Sequence, residues 1–422
     1  MMAPALPEGG PAPEDGRLPD SVVEGAGDRA LGLYLHVPFC ALRCGYCDFN
    51  TYTPGELGGA QGSSTTAFVA AAGLEIALAA TVLTTAGLPD RPLATVFVGG
   101  GTPTLLPSAD LVGLLATARN RLGLAPDAEV TTEANPDSVT AQSLAELAAG
   151  GVTRVSFGMQ SAVPHVLRVL DRTHDPRRLP EVVRWARDAG LQVSLDLIYG
   201  TATESVVDWR ASVETAIACG PDHVSAYALV VEHGTRMARQ VRRGQVAAPD
   251  GDDQAEKYEL ADELLGGAGY RWYEVSNWSR SDGSRCRHNL GYWRGDDWWG
   301  IGPGAHSHVG GVRWWNAKHP AAYGAALRQG TSPAVGREQL DADARLTEHV
   351  MLGVRLADGM DTGALPPDGR AAVPGLVDRG LLVTKQPDRV VLTRPGRLLA
   401  DRVVRSLLGW DADRGTTSPA AT

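Results

Sequence analysis

From residue 32 to residue 231, short β-branched runs alternate with longer stretches whose apolar residues recur at helical spacing. The short runs predict strands at 33–37, 95–98, 129–133, 154–158, 192–198 and 223–229. The longer stretches predict helices at 66–85, 108–122, 140–149, 180–189 with a shorter piece before it, 205–218 and 252–265. Six strand–helix units in series imply a parallel sheet, and right-handed crossovers curl such a sheet toward an open or closed barrel. The fold class is therefore α/β, a (β/α)6-type barrel, open or closed. The least polar stretch, 66–88, is interrupted by Glu75 and rich in alanine and threonine, which predicts a buried helix rather than a membrane span.

Unusual polar and glycine residues fall at the same end of all six strands. The first strand runs into Cys40, Cys44 and Cys47, and the second into Gly99, Gly100, Gly101 and Thr102. The third ends in Glu133-Ala-Asn-Pro, the fourth at Gln160, the fifth carries Asp196 and the sixth Tyr227. In a (β/α) barrel the C-terminal mouth is where a site is assembled, so these ends describe one site. Each element also has a plainer explanation. The glycine run can be a tight turn, and it lacks the Lys-Ser/Thr of a phosphate-binding P-loop. Glu133 and Asp196 can be buried ion-pair partners of Arg154 or Arg172.

Composition narrows the chemistry. The chain has 422 residues, 43% of them hydrophobic, enough for a large core and more than one domain. A net charge of -10 argues against a nucleic-acid partner. With 5 cysteines, no transit sequence and no apolar signal core, the chain reads as cytoplasmic. Three cysteines spaced C-x3-C-x2-C leave one unpaired in any disulfide scheme, and a zinc site would need a fourth ligand such as His36, which the pattern puts on a strand. Three thiolates on one loop suit an iron–sulfur cluster with one iron left open. Cys219 reads as a small buried hydrophobe, and Cys286 stands alone in a polar loop.

The ordered motifs carry a resemblance. Tyr34-Leu-His-Val-Pro-Phe-Cys-x3-Cys-Gly-Tyr-Cys-Asp-Phe49, Gly-Gly-Gly-Thr-Pro-Thr, Glu-Ala-Asn-Pro, Ser156-Phe-Gly-Met-Gln-Ser161, Arg172-Thr-His174 and Asp196-Leu-Ile-Tyr-Gly200 resemble the oxygen-independent coproporphyrinogen III oxidase-like family of radical S-adenosylmethionine (SAM) proteins, from residue 30 to about residue 405. The resemblance implies that Cys40, Cys44 and Cys47 bind a [4Fe-4S] cluster. It implies that Tyr34, Gly100, Gly101, Thr102, Glu133, Gln160, Arg172 and Asp196 line a SAM pocket, with Tyr46 beside it. The oxidases carry a further cysteine where this chain has Phe49, and Cys286-Arg-His-Asn-Leu-Gly-Tyr-Trp293 is similar to the heme-binding segment of a heme-chaperone branch. His288 is then the leading heme ligand, with His306, His308 and Cys286 as rivals. Seven of the 10 tryptophans (Trp272, Trp278, Trp293, Trp298, Trp299, Trp314 and Trp315) fall in this region, where a flat ligand would most easily stack.

The expected organisation is a disordered tail at 1–29, a radical SAM barrel core at 30–235, a barrel extension with the heme-binding segment at 236–332, a winged-helix-like α+β domain at 333–410 and a tail at 411–422. The implied function is binding of heme as cargo and its delivery to heme-acceptor proteins such as membrane respiratory enzymes, with an electron donor for the cluster. The alternative is the oxidase itself, an enzyme of porphyrin biosynthesis. Whether two copies pair as a homodimer stays open.

Overall fold

The computed structural model describes residues 9–58 and 62–410. Six parallel strands form its centre: β1 (Leu31–Val37), β2 (Leu93–Gly100), β3 (Leu124–Ala134), β4 (Arg154–Gln160), β5 (Gln192–Tyr199) and β6 (His223–Ala228). α1 (Pro54–Leu57) and α2 (Thr65–Thr85) follow β1, α3 (Ser108–Leu122) follows β2, and α4 (Ala141–Ala149) follows β3. After β4 come α5 (Pro164–Val169) and α6 (Leu179–Asp188), after β5 comes α7 (Val206–Cys219), and after β6 come α8 (Arg236–Arg242) and α9 (Gly251–Gly267). Side-chain caps fix several helix starts. Ser64 accepts from the Ala67 N–H at 3.1 Å, and Ser205 with Asp208 forms a reciprocal capping box on α7.

The two faces of the strands differ. Leu31, Leu33, Leu35, Val96, Val98, Val130, Val155, Phe157, Val193, Leu195, Leu197 and Val224 turn outward into the core shared with the helices. The alternate positions turn inward and are mostly polar, which follows from the two-residue period of a strand.

The rest of the sheet comes from β7 (Arg271–Glu274), β8 (Asn277–Ser279), β9 (Asp297–Ile301), β10 (His306–Val309), β11 (Val312–Asn316) and β12 (Ala334–Gln339), with α10 (Arg287–Arg294) and α11 (Pro320–Arg328) between them. Twelve strands run in the order β12-β11-β10-β9-β1-β2-β3-β4-β5-β6-β8-β7. β9 lies parallel to β1, so the parallel part has a seventh strand beyond the six read from sequence, and the flanks are antiparallel. The sheet ends in two separate edges and does not close.

Two expectations about domain limits need correction. The 1–29 tail is not disordered across its described part: Val22 is fully buried, Arg337 N–H donates to Gly10 O at 2.8 Å, and Arg29 pairs with Asp297 at 2.9 Å. Its polar composition hid a segment ordered mainly by backbone partners on the sheet. Residues 1–8 of that tail, and the expected tail at 411–422, lie outside the described residues. At the other end, β12 pairs with β11 in the large sheet, so the C-terminal unit starts after residue 339 rather than at 333. That unit contains α12 (Ala342–Gly353), β13 (Met360–Asp361), α13 (Pro367–Asp378), β14 (Leu382–Gln386), β15 (Arg389–Leu392), α14 (Arg394–Leu398) and α15 (Ala400–Leu407). A separate core of Val350, Val354, Leu376, Leu382, Val390, Val403 and Leu407 holds it together. Arg394 and Arg397 fasten it to Asp262 of α9 at 2.9 and 3.0 Å.

By length and composition α2 could cross a membrane. It packs instead between the sheet and α11, and its buried Glu75 accepts from Gly302 N–H at 2.8 Å, Asn316 Nδ2 at 2.7 Å and the Tyr323 hydroxyl. Burial outweighs these donors and pushes the carboxyl from 4.5 up to about 7. As pH rises through that window the unfolded chain ionises first, so the native state loses stability, on the order of 3 kcal/mol over the whole window. Urea unfolding at about pH 5 and about pH 8 should therefore show a smaller loss of stability on going to high pH in Glu75→Gln than in the wild type.

Candidate functional site

Because the inward faces of β1–β6 are polar and carry few large apolar side chains, they enclose a cavity of about 730 Å³. That lies within the ~300–1,000 Å³ of ligand pockets. Its mouth is at the C-terminal strand ends, and its lining includes Tyr34, Cys40, Cys44, Tyr46, Cys47, Gly100, Gly101, Thr102, Glu133, Gln160, Arg172, Asp196 and His288. The twelve residues that the resemblance implies for cluster and SAM, and His288 as leading heme ligand, thus meet here. The lining also takes in Asn135, Asn289 and Tyr292 from the quoted motifs, and Thr131, Arg154, Ser156, Ser194, His223 and Ser225, whose place in the lining strand-end reasoning missed. The signal was present as alternation within the strands: Thr131 and Glu133, Arg154 and Ser156, Ser194 and Asp196, His223 and Ser225.

The cysteine loop is held from three sides. Cys40 N–H donates to Tyr52 O at 3.0 Å, and Gly101 and Thr102 N–H donate to Val37 O and Phe39 O at 2.8 Å each. Met237 N–H, at the start of α8, donates to Gly45 O at 2.8 Å. Tyr46 packs on Val166, Leu170, Ile198, Leu229 and Met237. The three cysteines are free thiols. Burial raises Cys40 and pushes Cys47 up to about 12, with the neighbouring cysteines adding to both shifts. Arg172 lies near them, its Nη1 3.7 Å from Cys44 Sγ. Among the described residues no three His, Cys, Asp or Glu side chains converge as a single ion would require. His36 is no spare ligand, since its Nε2 meets Asn50 O at 2.9 Å and its Nδ1 the Tyr34 hydroxyl at 3.1 Å. Three unpaired thiols on one wall, spread wider than a zinc tetrahedron, fit a multi-iron cluster.

Glu133 and Asp196 face the cavity below the loop. Glu133 Oε2 accepts from Gly100 N–H at 3.1 Å, and Asp196 Oδ2 from the Ser156 hydroxyl at 2.8 Å. Burial, with Asp196 nearby, pushes Glu133 up to about 8, and burial raises Asp196 as well. Neither takes the ion-pair role that sequence left open, because Arg154 stands against Glu129 at 3.6 Å and Arg172 donates to Asn135 Oδ1 and Gly158 O. Gln160 is held at φ 60, a left-handed backbone that costs a non-glycine residue and turns the end of β4.

The floor is α10, laid across the N-terminal strand ends. His288 is buried, with Nδ1 2.8 Å from Thr95 Oγ1 and Nε2 2.8 Å from the Tyr292 hydroxyl. Its ring stacks on Phe97 with centroids 5.3 Å apart, and burial drives its pKa down to about 3. His306 and His308 sit on β10, outside the cavity lining. The tryptophans do not form the expected stacking platform. Trp278, Trp299, Trp314 and Trp315 are buried in the core, Trp272 lies under Arg397 at 4.4 Å, and none of the seven lines the cavity. Six of them lie on the β7–β11 strands and Trp293 lies on α10, so their clustering in sequence reflects these packed elements rather than a ligand surface.

The profile of the Radical SAM superfamily matches residues 34–216. The heme chaperone HemW of Mycobacterium tuberculosis is 54% identical over 90% of this chain and 95% of its own length. HemW of Bacillus subtilis is 31% identical over 89% of this chain and 98% of its own. This chain belongs to the HemW family. Coproporphyrinogen III oxidase (HemN) from Escherichia coli shares the fold, with a TM-score of 0.76 at 20% identity over 94% of this chain and 95% of that one. The polar cavity is thus a feature of a HemW-family chain built on a radical SAM fold.

The tightest packing at the mouth predicts the effect of one methyl group. A Cβ on Gly101 would collide with Phe39 O and stand 3.0 Å from Cys40 Sγ. Gly101→Ala should cost about 1–3 kcal/mol. It should loosen the loop, read as a lower melting temperature and faster thiol labelling at Cys40.

Proposed function

We propose that this chain is a heme chaperone: it binds heme together with a SAM-coordinating [4Fe-4S] cluster and delivers the heme to heme-requiring proteins. The carrying observation is that one cavity joins the three-cysteine loop at its mouth to His288 on its floor. Family membership supports the reading, since the relatives that match almost end to end are named heme chaperones. Cys40, Cys44 and Cys47 are the cluster ligands in this proposal. Glu133, Asp196, Gln160, Arg172, Tyr34 and the Gly100–Thr102 backbone hold SAM, with Tyr46 beside it. When bound, the cluster supplies an electron and an open iron for the amino and carboxylate groups of SAM.

His288 is in the neutral form that ligates iron. Its Nδ1 contact with Thr95 fixes the ring, as the unligated nitrogen of a ligand histidine usually is. Nε2 becomes available when the Tyr292 hydroxyl turns away. A cytoplasmic setting, respiratory enzymes as acceptors and a separate electron donor belong to the same proposal. The second reading, coproporphyrinogen III oxidase, draws on the HemN fold. Phe49 speaks against it, because it replaces with an exposed apolar side chain the extra cysteine that the oxidases carry.

Anaerobic reconstitution tests both halves. The wild type should bind iron and sulfide as one four-iron cluster, and a Cys40/Cys44/Cys47 triple alanine variant should bind almost none. Retention of full iron–sulfur content by that variant would remove the cluster assignment. The wild type should also bind heme and leave coproporphyrinogen III unconverted when cluster, SAM and reductant are supplied. His288→Ala should alter the heme spectrum without changing the iron–sulfur content. Steady production of protoporphyrinogen would make the oxidase the function.

A further inference from the structure

Deep in the cavity, two side chains have polar atoms that no protein group satisfies. Arg154 opens β4 and is 2% exposed, yet its Nε and Nη1 have no hydrogen-bond partner. Thr131 lies one strand away on β3, 1% exposed, and its hydroxyl is equally unpartnered. Both line the cavity. The rest of the Arg154 fork is anchored: Nη2 donates to Gln192 Oε1 at 2.9 Å and to the carbonyls of Ser284 and Arg285. Glu129, 3.6 Å from Nη1, lies beyond hydrogen-bond length and is already shared by the Arg287 and His288 N–H groups and the Cys286 thiol. A buried donor left open costs about 1–3 kcal/mol, more when charged, so a guanidinium held this way calls for an acceptor from outside the protein. Glu129 supplies Arg154 with a counter-charge but no hydrogen bond, so what Nε and Nη1 lack is an acceptor within reach.

We propose that Arg154 and Thr131 form a carboxylate-binding subsite at the bottom of the cavity, which takes a propionate of the heme. The proposal rests on the heme-chaperone reading, and it adds a determinant that distinguishes heme from a neutral porphyrin. Arg154 offers the forked, charged donors that carboxylates favour, and Thr131 adds a neutral one. His288 stands on the same floor: Glu129 ties its backbone N–H to the region of Arg154, so iron ligation and propionate binding would address one molecule from adjoining positions. The carboxylate of SAM offers the same chemistry from a second source, and the test separates the two.

Equilibrium titrations of the full-length, cluster-loaded protein with ferric heme and with its dimethyl ester, in which both propionates are masked, need no mutation. The wild type should bind heme about tenfold or more tightly than the ester. Arg154→Met should bring that ratio close to one and leave SAM affinity unchanged. Because Arg154 also anchors the loop before α10, Thr131→Val serves as a second variant and should reduce the ratio part of the way with unchanged thermal stability. Equal wild-type affinities for heme and ester overturn the subsite. A loss of SAM affinity in Arg154→Met with the heme-to-ester ratio intact also overturns it, since the anion is then the SAM carboxylate. Failure of the wild type to bind either porphyrin overturns the chaperone reading itself.

Discussion

The floor of the cavity hangs on one carboxylate. Glu129, near the start of the regular part of β3, accepts from the first N–H groups of α10, Arg287 at 2.9 Å and His288 at 3.2 Å, and from the Cys286 thiol at 3.5 Å. Cys286 precedes α10 without a side-chain cap of its own, so a residue more than 150 positions earlier performs the capping. A carboxylate at a helix N-terminus satisfies orphan donors and opposes the positive end of the helix dipole. Here it also fixes a short helix across the strands. The position of His288 and the lower limit of the cavity follow from that contact, while Arg154 takes its seat from Gln192 and the carbonyls of Ser284 and Arg285.

This arrangement moves the burden of stability outward. In many (β/α) barrels branched apolar side chains fill the interior, but here threonine, serine, histidine and carboxylates stand in their place. The apolar free energy then comes from the opposite faces of the same strands and from the helices over them. Polar pairs such as Ser194 with His223 Nδ1 at 2.8 Å, and His223 Nε2 with the Tyr273 hydroxyl at 2.7 Å, keep much of the interior satisfied. Among the described residues that line the cavity, Arg154 and Thr131 keep buried polar atoms without a partner, and these two define the proposed subsite.

Local pattern carried most of the scaffold. The predicted strand at 192–198 is β5 with one residue added, and the helix at 108–122 coincides with α3, because β-branched runs and helical periodicity agree there with glycine boundaries. The cavity residues at the strand ends were legible for the same reason. Contacts between distant segments were not. Nothing local in Asp297–Ile301 marks it as a parallel neighbour of β1, and nothing local in His288 reveals that Thr95 and Tyr292 occupy both its nitrogens. The tryptophans misled because aromatic density reads alike whether it faces a ligand or a core.

An open sheet of twelve strands has two edges, each a row of unpaired backbone groups to which another chain could add a strand. Both are covered. The leading segment bridges Gly10 to Arg337 on β12, and Ser332 N–H beside that strand donates to Glu14 O at 2.7 Å. At β7, Glu274 bridges Leu356, and Ala357 N–H donates to Tyr273 O at 2.8 Å. The leading segment and the start of the C-terminal unit thus act as selvedges, and shortening the chain before Arg29 would bare the backbone groups of β12 that the leading segment now occupies.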